Sequence, residues 1–142
     1  MASLANLIVQ SKKVKPHRNV IVERTLHVIA NISMNPTGKQ EGVDEEVIKL
    51  CASPFINPKK TYEQRRLGCS VIMSVTILLA GKKQTVADKK IVKNLFKLLQ
   101  GVDEDIRINA KQCLINISDL PAGIEMSVDT LSKDLMILDE LY

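Results

Sequence analysis

The sequence has no tryptophan, two tyrosines and two phenylalanines in 142 residues. An aliphatic core must therefore support the fold, and the aromatic anchors that dominate tight binding surfaces are scarce. Histidine is nearly absent too: His17 and His27 are the only two. They form neither H-x-x-x-H nor H-E-x-x-H, so zinc ligation has no spacing to start from. No P-loop and no G-x-G-x-x-G occurs, which removes the usual phosphate-cradling loops. The three cysteines, Cys51, Cys69 and Cys113, include no C-x-x-C pair. Cys69 and Cys113 fall at apolar helix positions and read as buried thiols of a reducing compartment. No apolar run reaches the length of about 18 residues that marks a membrane span. The opening stretch MASLANLIVQSKK has no charged n-region before its apolar part and does not read as a signal peptide. These absences predict an intracellular, cytoplasmic chain with no catalytic residue, no metal and no cofactor.

Glycine and proline are few, at 6 and 5, which suits an all-helical chain. What is present is a repeat. Aligning Ile29, Ile72 and Leu114 brings the neighbours into step. Thr25, Gly68 and Ala110 match as small residues at a helix crossing. Ile32, Val75 and Ile117 match, followed by Ser33, Thr76 and Ser118, and then by Gly38, Gly81 and Gly123, which read as turn glycines. The predicted domain plan is an N-terminal helix with a basic linker over 1–18, then units at 19–60, 61–102 and 103–142.

Each unit predicts its own helices. Ser3 reads as a cap for the first short helix, whose apolar positions are Leu4, Leu7 and Ile8. Val22, Leu26, Ile29 and Ile32 form an apolar stripe that Asn35, Pro36, Thr37 and Gly38 are expected to stop. A second helix is expected from Val43, with Val47, Ile48, Leu50 and Cys51 buried and Asp44, Glu45 and Glu46 in its first turn. Thr61 and Gln64 fit a capping box at the head of one long helix running to Ala80. Ile91 to Leu99 predict another helix, Ile106 to Ile117 a third clear stripe, and Val128 to Leu141 the last one. Leu135, Leu138 and Leu141, together with Leu4, Leu7 and Ile8, are expected to leave apolar surface at the two ends.

Charge is unevenly placed. Residues 1–101 hold 17 Lys/Arg against 7 Asp/Glu, and residues 102–142 hold 3 against 9. Solvated helix faces account for such a pattern, and so does a chain that meets an acidic partner at one end and a basic one at the other. Lys82, Lys83, Lys89, Lys93 and Lys97 form a candidate basic face, the last three recurring every fourth residue on one side of a helix. Lys59, Lys60, Arg65 and Arg66 extend it. Nucleic acid, or the acidic tail of a protein, is the alternative partner these residues suggest. Head-to-tail self-association is a further alternative.

The stretch GKKQTVADKKIVKNLFKLLQGVDEDIRINAKQCLINIS resembles the armadillo-repeat pattern. Gly81, Val86, Ile91, Leu95, Leu98 and Leu99 match one half of that pattern. Asp105, Ile106, Arg107, Ala110, Leu114, Asn116, Ile117 and Ser118 match the other. A repeat of about 40–47 residues fits armadillo and HEAT arrays. The resemblance implies a right-handed α-solenoid of about three armadillo-like repeats, and a non-enzymatic scaffold that binds proteins within a larger assembly. The stretches LHVIANISMNPTGKQ and LLAGKKQ are similar to armadillo units of radial-spoke proteins, which implies the ciliary axoneme. Importin-like armadillo proteins bind basic peptides on a Trp/Asn ladder. Here the Trp rung is His27, Ser70 and Gln112, and the Asn rung is Asn31, Ser74 and Asn116. Without tryptophan, import cargo is disfavoured. These six residues remain the candidate partner-binding groove, or else the polar edges of core helices.

Overall fold

A computed structural model describes the backbone of residues 1–141 and the side-chain surroundings of residues 1–134. Its α-helices are α1 (Ala2–Gln10), α2 (Arg18–Ile32), α3 (Pro36–Asp44), α4 (Tyr62–Val75), α5 (Leu79–Val86), α6 (Lys89–Leu99), α7 (Glu104–Ile117) and α8 (Pro121–Leu141). Short 3-10 turns at Ser11–Lys13 and Lys15–His17 join α1 to α2, and a π-helical turn at Ile48–Ala52 follows α3. No strand occurs among the described residues, so the chain is all-α.

The three matched stripes become α2, α4 and α7. They pack in that order, with α4 between the other two. Ile29, Ile72 and Leu114, at one shared position, are all buried, and Leu26, Val71, Cys113 and Ile117 are buried around them. Burying each such side chain contributes about 1.5–3 kcal/mol before entropic costs. The small residues at the crossings, Thr25, Gly68 and Ala110, are buried as well, and a Cβ on Gly68 would stand 3.0 Å from the Ala52 carbonyl oxygen. Close backbone approach is what these positions supply. All three helices end alike. The hydroxyls of Ser33, Thr76 and Ser118 donate to the carbonyls of Ile29, Ile72 and Leu114 at 2.8, 2.8 and 2.7 Å. Each of these carbonyls also accepts the backbone N–H of the same residue, so the hydroxyl is a second donor to it at the helix end.

Gly38, Gly81 and Gly123 are not turn glycines. Each is the third residue of the next helix, in α3, α5 and α8. A Cβ there would lie 1.9, 2.1 and 2.0 Å from the carbonyl oxygens of Ile32, Val75 and Ile117. Glycine is needed because the new helix starts against the end of the old one. Pro36 and Pro121 open helices rather than closing them, at a position where a missing N–H costs nothing. Asn35 caps α3 by accepting from the Gly38 N–H at 2.7 Å. For the same reason the long helix expected to reach Ala80 is two helices, α4 and α5. α8 starts at Pro121 instead of Val128.

The first unit departs most from expectation. Asp44, Glu45 and Glu46 lie at the C-terminal end of α3, where the helix dipole disfavours carboxylates, and not in a first turn. Glu46 adopts a left-handed φ of 49° just past the helix, a place that glycine usually fills. Pro54 leaves no room for a full helix after Ile48. The segment therefore winds through the π turn and a 3-10 turn at Ser53–Phe55. Val47, Ile48, Cys51, Ala52, Phe55 and Ile56 are buried along it, while Leu50 is 42% exposed instead of buried.

Met1, not Ser3, precedes α1, and Ser3 lies inside the helix. α1 packs on α2. Thr61 caps α4 through the Gln64 N–H at 3.2 Å, but the Gln64 side chain reaches Asn19 instead of returning to Thr61. Half of the expected capping box has become a link between units.

Candidate functional site

The polar residues of α2, α4 and α7 divide into those that join units and those that face outward. Gln64 Nε2 donates to Asn19 Oδ1 at 3.0 Å, and the Thr61 hydroxyl donates to Glu23 Oε1 at 2.8 Å. These bonds link α2 to the start of α4. Between α4 and α7 the Tyr62 hydroxyl donates to Asp105 at 2.6 Å. Arg65 pairs with Asp103 at 3.2 Å. The Tyr62 hydrogen bond is the main reason the Asp105 carboxyl is held below its ordinary range.

The candidate groove is only partly free. Asn116 Nδ2 donates to the Met73 carbonyl at 3.2 Å and to Thr76 Oγ1 at 3.0 Å. Its Oδ1 accepts from Gln112 at 2.9 Å. Asn116 and Gln112 thus brace α7 against the end of α4. Ser74 is buried and Ser70 half-buried on α4, whereas His27 and Asn31 are exposed on α2. The open part of the ladder is therefore its first rung.

The candidate basic face also divides. Lys82 is tied to Asp119 across the second joint. Lys83 on α5 is exposed, as are Lys89, Lys93 and Lys97 in a row along α6. A groove of about 430 Å³ between α6 and α8 is lined by Lys89, Glu125, Asp129 and Lys133. There a hydrogen bond from Lys133, with Lys89 nearby, holds Asp129 below the ordinary carboxylate range. One end of the lysine row thus meets carboxylates. Arg66 pairs with Glu63 at 2.8 Å, and Lys60 lies 5.7 Å from the Phe55 ring centre.

A second groove, of about 370 Å³, lies where the first and second units meet, lined by Glu46, Lys49, Gln84, Asp88 and Ile91. Gln84 Nε2 donates to the Val43 carbonyl at 2.9 Å. Its Oε1 is buried and has no partner among the described residues. The pattern of apolar residues gave no signal for this groove, because Gln84 and Glu46 lie outside every stripe.

All three thiols are buried. Burial pushes Cys51 up to about 11 and raises Cys113 well above the ordinary value. Protonated, enclosed thiols are poor nucleophiles. Among the described residues no group of three or more His, Cys, Asp and Glu side chains is placed to hold a metal ion. No helix among them is long and apolar enough to cross a membrane. Of the apolar ends, Leu7 is 48% exposed but Ile8 is buried. The side chains of Leu135, Leu138 and Leu141 lie outside the described residues. No protein-family model matches the chain, and neither a curated protein nor a solved structure matches it.

Proposed function

We propose that this chain is a non-enzymatic scaffold: a right-handed α-solenoid of about three armadillo-like repeats that serves as a protein-interaction subunit of a larger assembly. The observation that supports this reading is the recurrence of the joint. Residues one repeat apart perform the same linking task, as Asn19 and Tyr62 do toward the unit that follows each of them. Units that share one stacking geometry bury a continuous core and leave long faces for partners. The narrower assignment is to the radial spoke of the ciliary axoneme. It rests on the likeness of LHVIANISMNPTGKQ and LLAGKKQ to armadillo units of radial-spoke proteins.

The test is to tag the chain in its own cell and identify co-purifying proteins by mass spectrometry, with and without a high-salt wash. Spoke or other axonemal components retained in high salt are expected. Recovery of no defined assembly would overturn the scaffold reading, and recovery of a non-axonemal assembly would overturn the narrower assignment alone.

A second reading is a basic module for acidic protein tails or nucleic acid, favoured by the exposed row of Lys89, Lys93 and Lys97. Partners captured by that face would dissociate steeply with salt. Replacing the three lysines with glutamine would release them, and unchanged affinity at low salt would reject this reading.

A further inference from the structure

The positions that join one unit to the next recur along the chain, and they recur once more where no further unit follows among the described residues. Arg66 on α4, paired with Glu63, is one turn on from Tyr62, whose hydroxyl donates to Asp105 on α7. Met73 on α4 accepts from Asn116 on α7 through its carbonyl. Lys82 on α5 pairs with Asp119. One repeat later the same three positions are Ile108, Ile115 and Ile124. They are 59%, 49% and 52% exposed. At two of the three a cation has given way to isoleucine, and all three stand open to solvent.

The opposite end shows the complement. Asp105, Cys113 and Asp119 receive the second unit. Two repeats earlier their positions are Val20, Val28 and Met34, which are 58%, 45% and 64% exposed; the middle unit buries Val71 at the Val28 position but leaves Ile77 59% exposed at the Met34 position, so Val28 marks the uncovered face most clearly. Extending the observed joint by one step places Ile108 near Val20, as Arg66 follows the Tyr62 that bonds Asp105. It also places Ile124 against Met34, where Lys82 meets Asp119. At the second an ion pair inside the molecule is replaced by an apolar pair between its ends, and at the first an arginine and an aspartate give way to isoleucine and valine. Exposed apolar side chains grouped in this way mark an interaction surface.

Two further features agree. α3 and α5 stop after 9 and 8 residues, and in the second unit the chain then turns back into α6, which packs on α5 and α7. α8 runs on for 21 residues. Among the described residues the third unit therefore has no helix in the place that α6 fills in the second. α1 packs on α2 as α6 packs on α7. The charges are also complementary, with 3 Lys/Arg against 9 Asp/Glu in residues 102–142 and 17 against 7 before them. The one like-charge equivalent sets Arg107 against Arg18, and it sits beside Asp103, Glu104 and Asp105.

We propose that the face formed by α7 and the first half of α8 binds a second copy of this chain, head to tail, through that copy's α1 and α2. The contact is heterologous: one surface meets a different one. It leaves a free face at each end and so propagates into an open filament unless the rotation closes a ring. This proposal deepens the scaffold reading and rests on it, because the partner is then another scaffold unit.

The experiment is light scattering on the purified full chain over a range of concentrations and salt, with two double variants. One carries Ile108→Glu and Ile115→Glu, and the other Val28→Glu and Met34→Glu. All four positions are exposed, and circular dichroism checks that the variants fold. The wild-type mass is expected to rise with concentration past that of a dimer and to fall with added salt. Each variant alone is expected to associate at least tenfold more weakly. An equal mixture of the two should form a dimer and nothing larger, because each retains one intact face. A wild-type chain that stays monomeric overturns the proposal. So does a dimer that stops growing and forms equally well from a single variant. If the purified chain is monomeric but the Ile108 and Ile115 variant loses co-purifying proteins in the cell, this face serves another protein and the scaffold reading survives. If the chain is monomeric and nothing co-purifies, both fail.

Discussion

The two joints inside this molecule share some positions, as at Asn19 and Tyr62, and differ in chemistry. Between the first and second units the links are mostly neutral: Gln64 to Asn19, with Thr61 donating to Glu23. An irregular segment packs behind them, through a π turn and a 3-10 turn. Between the second and third units the links are charged, through Arg65 with Asp103, Lys82 with Asp119, and Tyr62 with Asp105. A regular helix, α6, lies behind these. The repeat dictates where the backbone comes close. It leaves open which side chains make use of that approach. Salt and acid should therefore act mainly on the second joint, where ionised groups are concentrated.

The largest expected effect tests the packing behind each joint. Ile48 and Ile91 are both 1% exposed. Ile91→Ala should cost about 4 kcal/mol, because α6 is regular and holds its place around the cavity. Ile48→Ala should cost about 2–3 kcal/mol, since a segment of mixed turns can collapse further into the gap. Denaturant unfolding measures both. A reversed order would show the irregular segment to be the more rigid of the two. Gly81→Ala comes next, at about 3 kcal/mol, because its Cβ would meet the Val75 carbonyl, a backbone atom that cannot swing aside. Thermal unfolding of that variant checks whether the α4-to-α5 start is as tight as the geometry requires.

Asn116 and Asn31 are two repeats apart and sharpen the contrast. Asn116→Ala strips the second joint of two hydrogen bonds and should cost about 1–2 kcal/mol. Asn31→Ala, on an exposed face, should stay within about 0.5 kcal/mol. Equal losses would mean that Asn31 is engaged by something in solution, and a concentration-dependent loss would point to the second copy proposed above.

The first helix of each unit was legible in the sequence because it obeys a single period: every third or fourth residue of α2, α4 and α7 is apolar and buried. Their ends were legible less often. Gly38, Gly81 and Gly123 recur in step, and the pattern alone suggested turns, since glycine closes many helices. Only the carbonyl that each would strike reveals a helix beginning there. Which half of the candidate groove is taken up by helix packing was not legible for a related reason. Asn116 has the residue type of a peptide-binding rung, but its partners lie 40 and 43 residues away. Nothing in the local sequence announces them. Glu46 was unreadable too, because a left-handed glutamate breaks the usual preference for glycine. Glu46→Gly should relieve that backbone and remove a carboxylate from the end of α3, against a loss of unfolded-state restriction. The net gain should be about 0.5–1 kcal/mol, seen as a higher denaturant midpoint. A loss would mean that the Glu46 side chain holds the first joint together.

The smallest effect concerns acid. Asp105 is held below the ordinary carboxylate range mainly by the Tyr62 hydroxyl. A carboxyl depressed in the folded state contributes stability that is present above its unfolded pKa. That contribution is lost as the pH falls through the lower, folded value. Tyr62→Phe removes the donor and keeps the ring. The Asp105 titration, followed by NMR of its side-chain carboxyl carbon, should then move up toward the ordinary value. The acid side of the stability profile should flatten slightly, because folded and unfolded pKa values converge. Both groups are exposed, so water competes for the bond and the change in stability stays small. At the first joint Glu23→Gln keeps an oxygen to accept the Thr61 hydroxyl, and it should change the acid limb less than Tyr62→Phe does. If Glu23→Gln flattens that limb as much as Tyr62→Phe does, the division into a neutral and a charged joint fails.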